Sequence, residues 1–225
     1  MTPSKPETSA VNNDVLRIKE IFYSLQGESS KTGLPTVFIR LTGCPLRCSY
    51  CDTEYAFHGG DKLAICDILS RVENYQTPHV CVTGGEPLAQ KACLTLLNQL
   101  CNHGYEVSLE TSGAMDVANV DARVMKILDL KTPASGEADK NRYGNIKHLQ
   151  PADQIKFVIC DRADYDWARE LIYSRALTER CQVLFSPSHE QLPARQLADW
   201  ILADQLSVRL QVQLHKYLWG DGPGH

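Results

Sequence analysis

Apolar and polar residues partly alternate through Leu16-Arg17-Ile18-Lys19-Glu20-Ile21-Phe22-Tyr23, the pattern of a half-buried strand, and this run leads into a turn at Gln26-Gly27-Glu28. Thr36-Val37-Phe38-Ile39-Arg40-Leu41 predicts a second strand. Further apolar runs of strand length fall at 78–82, 105–109, 124–130, 154–160 and 181–185. Between them the spacing becomes helical, with Leu88, Ala92, Leu96, Leu97 and Leu100 near one face. Helices are also predicted over 164–176 and 191–206, the second with Leu197, Ile201 and Leu202 together.

Strands that alternate with helices pair in parallel, because a parallel neighbour needs a crossover connection and a helix supplies it. From Thr36 onward about six strands are predicted, too few for an eight-unit barrel. The expected fold is therefore α/β, a partial, open parallel β/α barrel, with a flavodoxin-like sheet as the alternative. In either case functional residues belong just beyond the carboxyl ends of the strands. The cysteines after Leu41, then Gly84-Gly85-Glu86, Glu110-Thr111-Ser112 and Lys131-Thr132-Pro133, fall there. The long polar stretch 134–153 reads as a loop of the kind that forms lids or substrate contacts.

A chain of 225 residues with 43% hydrophobic content can bury one substantial core, expected over residues 15–225. Residues 1–14 are polar and read as a disordered tail. The formal charge of −4 provides no field for nucleic acid or an anionic membrane, and no apolar run reaches membrane-spanning length. The expected location is cytoplasmic, with small molecules or proteins as partners. There the nine cysteines would stay reduced, which favours metal or redox use of a subset over a disulfide framework.

That subset is Cys44, Cys48 and Cys51, spaced CxxxCxxC. A zinc site would need a fourth ligand, for which His58 is the nearest candidate, and a thioredoxin-like pair would use only Cys48 and Cys51. A four-iron cluster held by three thiolates keeps one iron open to bind and activate a small molecule. With Tyr50 before the last cysteine, the run resembles the signature of radical S-adenosylmethionine (SAM) enzymes. That resemblance implies a 4Fe-4S cluster whose open iron chelates SAM and cleaves it reductively to a 5′-deoxyadenosyl radical. Thr83-Gly84-Gly85-Glu86-Pro87 resembles the Gly-Gly-Glu-Pro motif that holds the SAM amino group in the same superfamily. Two glycines permit close approach, and Glu86 has the charge to meet an ammonium.

Further segments resemble the 7-carboxy-7-deazaguanine synthase family: Leu25-Gln26-Gly27-Glu28, Phe38-Ile39-Arg40-Leu41, Cys51-Asp52-Thr53, Glu110-Thr111-Ser112-Gly113, Asp129-Leu130-Lys131-Thr132-Pro133 and Gln213-Leu214-His215-Lys216. The resemblance implies a carbon-nitrogen lyase of queuosine and 7-deazapurine biosynthesis. It would convert 6-carboxy-5,6,7,8-tetrahydropterin to 7-carboxy-7-deazaguanine with loss of ammonia, regenerating SAM. It further implies substrate contacts at Leu25, Gln26, Gly27, Glu28, Arg40, Thr83 and His215, and magnesium at Thr53. SAM contacts are implied at Tyr50, Cys51, Asp52, Gly85 and Glu86, and more weakly at Ser112, Lys131, Thr132, Pro133 and Ser186. By chemical type, Arg40 suits a carboxylate, Glu28 suits amino-pyrimidine N–H groups, and Gln26 can donate and accept. A flavodoxin- or ferredoxin-type electron donor and a homodimer are also implied. The rival readings are an activase that places a glycyl radical on a partner protein and a zinc-binding interaction module. The remaining cysteines read as small hydrophobes and His103 and His148 as surface or loop residues. Residues 217–225 extend past the point where some relatives end, so a terminal carboxylate near substrate is not expected.

Overall fold

The computed structural model describes residues 14–220 and 224. In chain order its elements are β1 (Val15–Leu25), β2 (Pro35–Leu41), β3 (Asp61–Ala64), α1 (Ile65–Val72), β4 (His79–Gly84), α2 (Cys93–Asn102), β5 (Glu106–Thr111) and β6 (Met125–Asp129). Then follow β7 (Gln154–Ile159), α3 (Arg162–Ser174), α4 (Leu177–Arg180), β8 (Gln182–Pro187), α5 (Ala194–Ala203), β9 (Arg209–Leu210) and α6 (Leu214–Trp219). The strands form one sheet in the order β3-β1-β2-β4-β5-β6-β7-β8-β9. From β2 to β9 every neighbour is parallel, while β1 runs antiparallel to both β2 and β3. The expected open β/α barrel of about six strands is present, extended at one edge by the β1–β3 pair and at the other by the short β9.

The two faces of this sheet differ chemically, and the difference creates the cavity. Val37, Ile39, Leu41, Val80, Val82, Val107, Leu109, Leu128, Ile155, Phe157, Val183 and Phe185 project outward and join one hydrophobic core. Leu96, Leu97 and Leu100 of α2, Tyr165, Ala168 and Ile172 of α3, and Leu197 and Ile201 of α5 complete that core. Each fully buried side chain of this size contributes about 1.5–3 kcal/mol, so the outer face carries the stability. The alternate residues face inward. Arg40, Thr83, Glu110, Asp129, Lys156 and Ser186 line the barrel interior, one from each of the six long parallel strands.

Several expectations are corrected. Helix α1 lies in a stretch not assigned from the pattern, although Ile65, Ile68, Leu69 and Val72 are all buried at helical spacing. Helix α5 ends at Ala203, and Leu202 is 75% exposed, so it does not share the buried face of Leu197 and Ile201. Residues 134–153 are not one open loop. They form short 3-10 turns pinned by Asn145, which is fully buried and donates to the carbonyls of Gly113 and Met115 at 3.1 and 2.7 Å. None of them lines the cavity. Asp14 is anchored, accepting from Ile65 N at 3.1 Å and Thr95 Oγ1 at 2.8 Å. The rest of the expected N-terminal tail, residues 1–13, lies outside the described residues, as do residues 221–223 and 225 of the C-terminal extension.

One connection sets the depth of the barrel. Because β1 is antiparallel, Leu25 pairs with Pro35 at the amino-terminal end of the parallel strands. Residues 26–34 then cross that end. Ser29 N donates to Gln211 Oε1 at 2.6 Å, Ser30 N donates to Gln154 Oε1 at 3.2 Å, and Lys31 pairs with Glu106 at 2.5 Å. The segment forms the floor of the barrel. Gln26, Gly27 and Glu28 therefore reach the interior from below, opposite the strand ends where functional residues were expected.

Candidate active site

The cysteine loop leaves β2 at Leu41 and is held against the end of β4. Glu86 N donates to Gly43 O at 2.8 Å, Gly85 N to Leu41 O at 3.1 Å, and Gly43 N to Ala56 O at 2.8 Å. A Cβ at Gly85 would lie 2.3 Å from Gly43 O, so only glycine lets the two segments approach this closely. On the far side Ser49 is tied down, N to Ser135 O at 3.0 Å and Oγ to Ala134 O at 2.7 Å.

Cys44, Cys48 and Cys51 all line one cavity of about 310 Å³, a volume typical of small-molecule sites. Among the described residues no three His, Cys, Asp or Glu side chains converge as a single-ion site requires. A four-iron cluster needs instead three thiols around one space, each for a different iron, which this loop offers. Burial raises all three thiols above their ordinary range, Cys48 to about 11, with Lys131 opposing the rise in each case. Their thiolate form therefore calls for the charge of bound metal.

Polar atoms without partners mark the rest of the wall. Tyr50 OH, Asp129 Oδ1 and Ser186 Oγ are buried and make no hydrogen bond among the described residues, and all three residues line the cavity. A ligand rich in donors and acceptors satisfies such groups. Lys131 Nζ lies 5.8 Å from the Tyr50 ring centroid and 3.1 Å from Asp129 Oδ2. Burial disfavours its charge, but Asp129 beside it outweighs burial and keeps it cationic.

The floor and the opposite wall carry the second polar cluster. Gln26 is 2% exposed, with Nε2 donating to Glu110 at 3.4 Å and Oε1 accepting from Glu28 N at 3.2 Å. Thr83 Oγ1 donates to Glu110 Oε2 at 2.9 Å. Burial and the nearby Glu28 carboxylate push the Glu110 carboxyl up, against opposing effects of Lys156 and Thr83. Glu28 accepts from Gln213 Nε2 at 2.8 Å and contacts Lys156 Nζ. Arg40 commits Nε to Glu20 at 2.7 Å, beneath the Phe22 and Tyr55 rings, and its terminal nitrogens make no hydrogen bond among the described residues.

Of the residues expected at a site, Leu25, Gln26, Gly27, Glu28, Arg40, Thr53, Thr83, Gly85, Ser112, Lys131, Ser186, His215, Tyr50 and Asp52 line this cavity together with the three cysteines. Three do not. Glu86 was expected to offer its carboxylate to a ligand, but it is fully buried and saturated by protein donors: Thr111 Oγ1, Ser112 N and Oγ, and Leu88 N. It fixes the ends of β4 and β5. Thr132 is likewise fully buried, its hydroxyl shared between Val158 O and Asp164, and Pro133 opens a 3-10 turn away from the cavity wall. Asp129, Lys156 and Gln213 were not singled out as site residues. For Asp129 and Lys156 the signal is the inward parity of β6 and β7, legible only once strand register is known; Gln213 lies on neither strand but just before α6.

His215 packs directly on Gly27, where a Cβ would meet its Nδ1 at 2.0 Å, and Leu214 N donates to Gly27 O at 3.0 Å. Burial lowers the His215 imidazole below its ordinary pKa, with Glu28 and Asp52 partly opposing. Gly27→Ala is expected to drive the ring out of the cavity and return its titration upward toward that of a free histidine. An NMR titration of the ring protons checks this, and an unchanged midpoint would mean that the contact yields elsewhere.

An open parallel barrel with three cavity-lining cysteines on the loop after its first parallel strand defines a radical SAM protein, and residues 38–134 match the Radical SAM superfamily. The wider comparisons are more particular. The chain is 45% identical over 219 residues to 7-carboxy-7-deazaguanine synthase of Koribacter versatilis, covering 91% of this chain and 97% of that protein. It is also 45% identical over 207 residues to the protein of that name from Chlorobaculum tepidum, covering 91% and 94%. The chain belongs to the 7-carboxy-7-deazaguanine synthase family. Its fold is similar to that of QueE from Escherichia coli, with a TM-score of 0.76 at 23% identity over 93% of this chain and 100% of that one. Streptococcus suis SuiB bound to S-adenosylmethionine is more distant, with a TM-score of 0.55 at 14% identity over 76% of this chain and 45% of that one.

Proposed function

We infer that this chain forms 7-carboxy-7-deazaguanine from 6-carboxy-5,6,7,8-tetrahydropterin with release of ammonia, as a radical SAM carbon-nitrogen lyase. The observation that carries the reading is one cavity with two chemically distinct ends: three thiols on the upper loop, and Arg40, Glu28 and His215 toward the floor. Family membership makes a 4Fe-4S cluster and SAM the cofactors, and the thiols and unpartnered polar atoms suit them. Cys44, Cys48 and Cys51 would hold the cluster, with Tyr50, Asp52, Gly85, Ser112, Lys131 and Ser186 around SAM. When bound, these groups supply the radical that takes a hydrogen atom from substrate.

The remaining work falls to the chain. Arg40, fixed through Nε by Glu20, directs its free nitrogens to the substrate carboxylate. Glu28 accepts from amino-pyrimidine N–H groups, and the floor segment with His215 closes the cavity from below, which excludes water from a reactive intermediate. Thr53, whose hydroxyl donates to Asp52 Oδ1 at 2.7 Å, would offer its oxygen to magnesium, which would supply positive charge beside the substrate. The resemblance to the family supports a flavodoxin- or ferredoxin-type donor and a homodimer, and a biosynthetic role suits the cytoplasm. No helix among the described residues is long and apolar enough to cross a membrane.

An anaerobic assay with the carboxylated pterin, SAM, magnesium and a reductant should yield the deazaguanine and ammonia; SAM cleavage without that product would sink the substrate assignment. Arg40→Ala should raise KM for the pterin by the equivalent of about 1.5–3 kcal/mol, the scale of a lost charged hydrogen bond. An unchanged KM would remove Arg40 from the substrate.

A further inference from the structure

We propose that Lys156 is a positioning residue that holds Glu28 as a carboxylate at the cavity floor and ties it, through Asp129, to Lys131 beside the cysteine loop. This deepens the reading above, since it takes Glu28 as a substrate contact. Lys156 is rigidly placed. It sits within β7 in register with Asp129 of β6, and its carbonyl accepts from Leu130 N at 2.9 Å. Its side chain is 13% exposed, with Nζ against Glu28 and 3.8 Å from Asp129 Oδ2. Asp129 Oδ2 lies in turn 3.1 Å from Lys131 Nζ. The chain of charges thus runs from the floor to the cluster loop.

The surroundings show what Lys156 does there. Glu28 is faced by Asp52 from the cysteine loop, Glu110 from β5, Asp129 from β6, and Gln211, Gln213 and His215 from the C-terminal segment. Three of these are carboxylates. Among the described residues, Lys156 is the cation in contact with Glu28. Burial alone would push the Glu28 carboxyl up, yet the Lys156 charge and the hydrogen bonds from Lys156 and Gln213 hold it below its ordinary value. A buried ion pair adds little net stability, so the main physical consequence of Lys156 is the charge state of its neighbour. With Lys156 gone, burial and the surrounding carboxylates would protonate Glu28, turning one of its two acceptor oxygens into a donor. A ligand presenting N–H groups would lose an acceptor, and higher pH would restore it.

The test is anaerobic calorimetric binding of 6-carboxytetrahydropterin to the reconstituted enzyme with SAM and magnesium, from about pH 6 to about pH 8.5, a window spanning the range to which a buried carboxyl without its cation moves. Relative to wild type, Lys156→Met should bind about ten- to a hundredfold more weakly at the acid end, and the gap should close toward the alkaline end. Lys156→Arg should show no such widening gap, because its charge is retained. In the Lys156→Met, Glu28→Gln double variant the gap should no longer depend on pH. A wild-type to Lys156→Met ratio that stays constant with pH, or a pH dependence that survives in the double variant, overturns the proposal. If Lys156→Met does not fold, infrared difference spectra between wild type and Glu28→Gln at the acid end decide: an ionised carboxylate band supports the proposal and a protonated carbonyl band overturns it. A wild-type enzyme that fails to bind the pterin would defeat the substrate reading, while the infrared result would still decide whether Glu28 is held as a carboxylate.

Discussion

Cys48→Ala will fold with its sheet intact and lose cluster assembly and reductive SAM cleavage together. The expected loss exceeds about a hundredfold, because changing mere outer-shell partners of metal ligands already costs about 10–100-fold. The same holds for Cys44→Ala and Cys51→Ala. All three thiols belong to a partly exposed loop rather than to the hydrophobic core, so stability should barely move. Cys66, exposed at the start of α1, is the control, and Cys66→Ala should assemble a full cluster. Iron content, the cluster's absorbance and methionine release after anaerobic reconstitution separate the outcomes. A triad variant that keeps both cluster and SAM cleavage would break the assignment; zinc binding by wild type with no iron uptake would favour the interaction-module reading instead.

Legibility in the sequence followed the strength of local signals. The six long parallel strands could be read because their outward residues, such as Val37, Ile39 and Leu41 or Val80 and Val82, are dense and β-branched or aliphatic. The short β3 and β9 lack such runs and exist through their neighbours: β3 pairs with β1 from Asp61↔Ile18 to Ala64↔Val15, and β9 joins β8 only at Arg209 and Leu210. The cysteines and the glycine pair were visible because metal ligation and close approach each restrict residue type sharply. Lys156 and Asp129 were not, because their meaning depends on register across two strands separated by 24 residues of turns. The floor was hidden for a topological reason. Nothing local in Gln26-Gly27-Glu28 says that β1 runs antiparallel, and only that direction brings the segment up into the barrel from its amino-terminal end.

Glu86 carries the second large expected effect. A carboxylate after two glycines reads naturally as a ligand for an ammonium, and among the described residues its oxygens already accept from four protein donors. Leu88 N lies at 2.9 Å, Ser112 N at 2.7 Å, Ser112 Oγ at 2.5 Å, and Thr111 Oγ1 at 2.9 Å from both oxygens. Glutamine keeps the shape but replaces one acceptor oxygen with a donor, which must then face the fixed N–H of Ser112 or Leu88. Leaving one buried donor unsatisfied costs about 1–3 kcal/mol, and alanine, which strands the whole set, costs more than glutamine. For a chain of this length each kcal/mol lowers Tm by about 2–4 °C, so Glu86→Gln should melt several degrees early even without cluster or SAM. SAM affinity should fall with it, because the Glu86 carboxylate fixes Ser112, which lines the cavity. Thermal unfolding of the metal-free protein distinguishes the two roles. A Glu86→Gln chain that melts with wild type yet loses SAM would return the carboxylate to the ligand, whereas early melting makes it the brace beneath the loop.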